Sequence, residues 1–412
     1  MINKRISHDK LVIGAYILQP YAQTEAHIKD LAECGVELVV CLCPKDRSVL
    51  DLLHKYGVGC ILSGYLPTWW GGDGSNAGTM SEKYPLDLYE KLSKEFEDHP
   101  AVWGLDICDE PSAFEFEYLS KLARFIENAF PNQFPYINLY PNYAAVSKNT
   151  EDETKCQLGT ATYEEHIEKY IEKVDLPYIS YDYYLYPQTK NHHVGKMLDN
   201  FRIVSDACRR TGKDFWYIPM VNGRSENDFT SLNMLRYQAY IALAYGATVI
   251  NWACYTGGWW FNNVLDTEGN KTEQYDKLKT MNAELHAIGD TYMKYKTVST
   301  HLLGFGEDWK DECSKVITKN SLDCGFARDL RSDGKLVIGQ MIHRENNDKN
   351  ALFICNASDP CDTDNSVATV SFRSYERRVT VHSGCEKIDL SQNGDEYSFK
   401  IKSSHGVMIT FE

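Results

Sequence analysis

The stretch Ala101-Val-Trp-Gly-Leu-Asp-Ile-Cys-Asp-Glu-Pro-Ser112 runs a short apolar strand into two adjacent acids, Asp109 and Glu110, and then into Pro111 and Ser112. Proline lacks a backbone donor and stops the strand, and serine is a favoured first cap of a helix. A buried strand feeding straight into a helix is the unit of an α/β fold, and the rest of the chain is read from it. Ionised carboxylates resist leaving water, so two of them at such a junction cost free energy unless chemistry uses them. Each raises the other's pKa, and a raised carboxyl pKa suits a general acid near neutral pH. The plainer structural role is an acidic pair favouring the N-terminus of the helix that follows.

The same unit recurs on both sides. Strands are expected at about 11–17, 37–43, 58–64, 102–108, 134–140, 178–184, 214–221 and 248–254, each followed by a helical stretch. In 113–129, for example, Phe114, Tyr118, Leu122 and Phe125 recur at three- and four-residue spacing along one face. Strands that are apolar on both faces and alternate with helices form a parallel sheet wrapped by helices. Eight such units in about 290 residues give the count of a (β/α)8 TIM barrel. An open doubly wound sheet is the competing architecture, but no Gly-x-Gly-x-x-Gly follows the first strand. Beyond Lys296 the rhythm changes to short alternating runs (335–342, 351–356, 367–372, 378–382, 397–402, 406–411) with turns such as Ser332-Asp333-Gly334. These predict a small all-β sandwich, so the expected domains are 1–298 (barrel) and 299–412 (sandwich).

Composition narrows the partners. The 412 residues are 43% hydrophobic, with 58 acids against 43 basic residues and a formal charge of −15. That argues against nucleic acid or an anionic membrane as partner, and no apolar run is long enough to span a bilayer. The N-terminal residues show no secretory pattern, and the thirteen cysteines are scattered. Both point to reduced thiols and a cytoplasmic location, with no metal and no cofactor expected. Oligomeric state is not readable. Twenty-seven Tyr, 16 Phe and 8 Trp fill cores and also suit a carbohydrate partner, because flat rings stack on sugar faces.

Barrel chemistry gathers at the C-terminal ends of the strands. In order, those ends offer Gln19 and Tyr21; Tyr65, Trp69 and Trp70; Asp109 and Glu110; Tyr140 and Asn142; Tyr181, Asp182 and Tyr184; Asn222 and Arg224; and Trp252, Tyr255, Trp259 and Trp260. No strand interior holds a lysine for Schiff-base chemistry, and His192-His193 stand in a polar segment far from a metal-type pairing.

With Trp103-Gly-Leu-Asp-Ile-Cys-Asp-Glu-Pro111, Tyr181-Asp-Tyr183 and Ile250-Asn-Trp252, the chain resembles the (β/α)8 glycoside hydrolases. The resemblance implies that Glu110 is the acid/base. Retaining members carry a nucleophilic Glu at the end of strand 7, but Phe215–Asn222 has no acid and the next is Glu226, in the loop. Two explanations remain. Asp182 supplies the second carboxylate, as in a galactosidase-like two-carboxylate enzyme, or the substrate's own 2-acetamido oxygen attacks. The vicinal Asp-Glu is similar to the family 20 and family 123 β-N-acetylhexosaminidases, which take the second route. The chitinase pattern Asp-x-Asp-x-Glu fails, because its middle position is Cys108.

The resemblance therefore implies a retaining, exo-acting β-N-acetylhexosaminidase that proceeds through an oxazoline. Glu110 would be the acid/base, Asp109 would orient the acetamido group, and Tyr181 or Tyr184 would be the hydroxyl donor. Trp69, Trp70, Trp252 and Trp259 would contact the sugar face, and Tyr140, Asn142, Asn222 and Arg224 its hydroxyls. Asp106 reads as an interior acid. The last alternative is a carbohydrate-binding barrel without activity.

Overall fold

A computed structural model describes residue 6 and residues 9–94, 98–146, 157–185, 192–257, 260–305, 318–359 and 366–412. Eight parallel strands close into a barrel: β1 (Val12–Tyr16), β2 (Leu38–Leu42), β3 (Gly59–Leu62), β4 (Val102–Asp109), β5 (Phe134–Leu139), β6 (Tyr178–Asp182), β7 (Asp214–Ile218) and β8 (Ala247–Ala253). The β1–β8 and β3–β4 pairings complete the ring. A two-residue strand, Trp69–Trp70, pairs with the top of β4 where β3 has already ended.

A main helix follows each strand: α1 (Glu25–Glu33), α2 (Arg47–Lys55), α3 (Leu86–Ser93, preceded by a four-residue helix, Met80–Lys83), α4 (Phe116–Ala129), α5 (Tyr163–Lys173), α6 (His192–Thr211), α7 (Leu232–Tyr245) and α8 (Glu273–Tyr292). Several begin where a hydroxyl or carboxyl side chain accepts from the first free N–H groups, as Thr24, Asp46, Thr162, Ser231 and Thr272 do. Among the described residues no helix is long and apolar enough to cross a membrane.

The C-terminal module is a sandwich of two sheets. Its strands are β9 (Tyr295–Leu303), β10 (Thr318–Lys319), β11 (Arg328–Ser332), β12 (Leu336–His343), β13 (Asn350–Asn356), β14 (Val367–Arg373), β15 (Val379–Ser383), β16 (Ser391–Asn393), β17 (Glu396–Lys402) and β18 (Gly406–Phe411). One sheet runs β10-β9-β12-β13-β18-β15 and the other β11-β14-β17-β16. Their facing side chains, among them Leu336, Ile354, Val370, Phe399 and Ile409, form one apolar cluster. β9 begins at Tyr295, so the expected boundary at 298 falls inside a strand of this module.

The outer face of the larger sheet packs on the barrel. Phe353 and Met408 belong to the barrel's own apolar cluster, and Phe353 meets Tyr240 of α7 and Tyr292 of α8. The approach is close enough that a Cβ on Gly339 would lie 2.1 Å from the Ala244 carbonyl oxygen. Beneath this joint, Arg236 of α7 grips Glu284 of α8 through Nε at 2.9 Å, and the Tyr240 hydroxyl adds a bond at 3.1 Å.

Candidate active site

Neighbouring strand residues normally point to opposite faces. Asp109 and Glu110 nevertheless reach the same mouth, by two backbone devices. A bulge in β4 sets Asp106 opposite Tyr136 but Cys108 opposite Ile137, so one extra residue is inserted. Asp106 and Asp109, three apart, therefore both face the barrel interior, and Cys108 turns outward and is fully buried. Glu110 then leaves the strand with φ of +53° in the left-handed region, where a non-glycine residue is uncommon. Its N–H donates to the Asn138 carbonyl at 2.8 Å, which holds the turn. Gly71 lies so close to it that a Cβ there would fall 1.7 Å from the Glu110 carbonyl oxygen.

Four carboxyl groups result, linked by a polar layer. The Asn138 side-chain amide donates to Asp109 at 3.1 Å and to Asp182 at 2.8 Å. Its orientation is fixed because Ser180 donates to the Asn138 Oδ1 at 3.0 Å, which leaves only the NH2 group to face the acids. Tyr16 donates to the second oxygen of Asp109 at 3.4 Å. Tyr184 lies close enough to Asp182 for each to shift the other's titration, and the Trp70 indole N–H donates to Glu110 at 3.2 Å. Deeper, the thiol of Cys41 contacts Asp106 at 3.2 Å. Deeper in the barrel, aromatic rings stack on one another, including Tyr178 over Trp216 at 4.3 Å.

Burial sets the protonation. It pushes Asp106 up to about 7, with the Asp109 charge adding to the effect. Asp109 rises to about 6, again through burial, held there by the opposing bonds from Asn138 and Tyr16. Asp182 rises to about 8 through burial and then the Asp109 charge. Glu110 is pushed well above its ordinary value by burial, then by Asp182 and Asp109, with the Trp70 bond opposing. Burial and the neighbouring acids therefore favour the protonated form of Glu110, beside an Asp109 that two hydrogen bonds hold toward its ionised form. Neighbouring carboxyls with pKa values pushed apart can divide acid and base roles between them.

Of the residues expected from sequence, Glu110, Asp109, Asp182, Tyr184 and Trp70 come together. Tyr140 is close to Glu110 electrostatically, and its hydroxyl donates to the Gly72 carbonyl at 2.9 Å, bracing the Trp70 loop. The others lie elsewhere. Trp69 is buried against the edge of Tyr84. Tyr181 points outward between the layers, stacked on Phe215 and edge-on to Phe201 of α6. Trp252 also points outward, its indole N–H on Asn282 of α8 at 2.9 Å. Asn142 is tied to α6 through the Lys196 carbonyl at 2.9 Å. Asn222 is fully buried and bonds the Cys254 carbonyl and Asn263, so it secures loops and is not open to a ligand. Arg224 is exposed on the loop after β7. Trp259 lies outside the described residues; Trp260 instead meets Tyr184 edge-on at 4.4 Å. Tyr16, Asn138 and Ser180 went unnoticed in the sequence. The one signal was a lone amide or hydroxyl inside otherwise apolar strands.

No protein-family model matches the sequence, and no curated protein matches it. Solved structures similar to this chain include a family 5 mannosidase from Rhizomucor miehei, with TM-score 0.44 and 13% identity over 68% of this chain and 96% of that one. A family 51 α-L-arabinofuranosidase from Bifidobacterium longum gives 0.47 and 11% over 98% and 96%. Alpha-L-fucosidase isoenzyme 2 from Paenibacillus thiaminolyticus gives 0.47 and 9% over 98% and 99%.

Proposed function

We propose that the chain is a glycoside hydrolase that removes a terminal β-linked N-acetylhexosamine with retention, using the substrate's acetamido group as nucleophile. One observation carries this reading: the bulge in β4 and the left-handed Glu110 turn two adjacent acids into a single mouth, where burial and the neighbouring acids favour the protonated form of Glu110. Glu110 gives its proton to the glycosidic oxygen as the bond to C1 breaks. Asp109 accepts the acetamido N–H, which makes the amide oxygen a better nucleophile as it closes on C1. Water, deprotonated by the Glu110 carboxylate, then opens the oxazoline and restores both acids. Trp70 and Trp260 offer aromatic walls at the mouth.

The end of β7 supports the same route by what it carries there. Asn222 is committed to backbone, and Glu226 is exposed on the loop. A second reading, with Asp182 as the other carboxylate of a galactosidase-like enzyme, draws on the electrostatic contact between Asp182 and Glu110. It is disfavoured because Asp182 is buried and keeps its proton to about pH 8, where a nucleophile must be ionised.

A panel of nitrophenyl β-glycosides, each with and without the 2-acetamido group, tests the proposal. Turnover confined to the acetamido sugars, inhibition by a thiazoline analogue and a loss of more than about 10²-fold in kcat for Asp109→Asn are expected. Hydrolysis of plain galactosides that ignores the thiazoline selects Asp182. Binding without any hydrolysis rejects both.

A further inference from the structure

At the opposite end of the barrel, past the C-terminus of α8, that helix and the larger sheet of the sandwich line an open cleft of about 310 Å³. Its wall gathers Lys294, His343, Lys349, Arg378 and His382, contributed by well-separated parts of the chain, against a single acidic side chain, that of Glu412. Glu412 is already committed to Lys349 at 2.8 Å. Among the described residues no carboxylate lies within ion-pair reach of Lys294 or Arg378, and both side chains are exposed to the cavity's solvent.

The His382 imidazole responds to this. Burial pushes it below its ordinary pKa, and the Arg378 charge adds to the push. In a chain of formal charge −15, such a gathering is a local reversal of sign. Salt screens charges beyond about 8 Å at physiological ionic strength, so a small ion in the cavity meets the nearby cations and little of the distant acids.

A second cavity, of about 410 Å³, adjoins it across Tyr295 and is also lined by cations. There, however, Lys213 is held by Asp175 at 2.6 Å and Arg344 by the Met293 carbonyl at 2.9 Å. Arg209 is likewise held, by Asp206. Among the described residues Lys296 is the unpaired cation of the larger cavity, whereas the smaller one brings two, Lys294 and Arg378, to the same wall.

We propose that this smaller cavity binds a phosphate or sulfate group. The planar fork of Arg378 matches two oxygens of a tetrahedral anion, and Lys294 acts as a point charge beside it. The Thr380 hydroxyl lines the same wall and can add a donor, while the Thr410 hydroxyl is engaged with the His382 ring nitrogen at 3.1 Å. The volume exceeds that of a bare oxyanion, so the group can be a free inorganic ion or an ester carried on a sugar-sized molecule.

Calorimetric titration of the intact protein tests this, with sodium phosphate, sodium sulfate and N-acetylglucosamine 6-sulfate at ionic strength held constant by sodium chloride. Saturable one-to-one binding is expected, weakened at least about tenfold in the double variant Lys294→Gln, Arg378→Gln. It should be unchanged in Lys387→Gln, which alters a fully solvated lysine. Tighter binding of the sulfated sugar than of sulfate identifies an ester ligand, and equal affinity identifies the free ion. No saturable heat with any of the three, or full affinity in the double variant, overturns the assignment. Both substituted side chains lie far from the acids, so glycoside turnover in the double variant stays at the wild-type rate. The anion site and the acid pair therefore stand or fall separately.

Discussion

Replacing Asn138 by leucine tests whether the amide layer sets the protonation of the acids. Leucine keeps the branched shape and removes both donated bonds, at 3.1 Å to Asp109 and 2.8 Å to Asp182. A hydrogen bond to a charged group contributes about 1.5–3 kcal/mol, and one pH unit corresponds to about 1.4 kcal/mol. Asp109 titrates at about 6 with this bond opposing its burial. Without it, the carboxyl should rise by about one to two pH units. Ionised Asp109 is the working form, so the acid limb of kcat/KM moves up by the same amount. At pH 7 the ionised fraction falls from about nine-tenths to between about one-half and one-tenth, a two- to tenfold loss of rate. The loss is recovered on raising the pH, until the Glu110 proton is lost. Asp182 also rises, with no consequence at pH 7, because it is already protonated there.

The assay is kcat/KM from about pH 4.5 to 9.5 on a nitrophenyl N-acetylhexosaminide, with circular dichroism to verify folding. Ser180→Ala, which releases the Asn138 oxygen and lets the amide turn, should move the limb the same way by a smaller amount. A uniform fall in rate with the acid limb unmoved would refute the reasoning and reduce Asn138 to a packing residue.

Three further outcomes are expected. Asp106, raised from 3.8 to about 7, contributes stability that is fully present below pH 4 and lost as the pH rises through 7. Asp106→Asn should therefore exceed wild-type stability at pH 8 by about 1–4 kcal/mol in urea unfolding and match it near pH 4; a gap independent of pH contradicts this. Trp70→Phe removes the indole bond that lowers Glu110, so the alkaline limb of kcat/KM should move up by less than about one unit, a small effect because Trp70 is 67% exposed. Glu284→Ala leaves the half-buried Arg236 with only its bond to Asn233 at the joint between barrel and sandwich and should cost about 1–3 kcal/mol, read by urea unfolding. The folded fraction of that variant should keep its turnover.

How much of this was legible follows from which rule each residue obeys. The eight strands announce themselves because parallel strands buried on both faces are apolar throughout, and a proline and a capping serine mark the junction at Pro111–Ser112. The sandwich is equally plain, from alternation and turn residues such as Asp333-Gly334. The same uniform apolarity hides which face of each strand looks inward. Tyr181 and Trp252 stand at strand ends, as pocket residues would, but each is one residue out of phase with an inward neighbour, Asp182 and Asn251 respectively. They pack against Phe201 and Asn282 of the helix layer instead.

Phase is also what the bulge at 106–108 and the left-handed Glu110 alter, and neither has a composition of its own. Strict alternation would have sent Asp109 away from Asp106, and Glu110 away from Asp109. The acids could be picked out as a pair by their cost, but not as a cluster, because the backbone departure that gathers them is stabilised from elsewhere. Its supports are the carbonyl and amide of Asn138 on the next strand and the close approach of Gly71. Where the chain departs from its repeating geometry, the supports lie distant in sequence and near in space. A bulge of this kind is therefore located by the polar residues buried around it, here Asn138, Ser180 and Tyr16, more readily than by the strand that carries it.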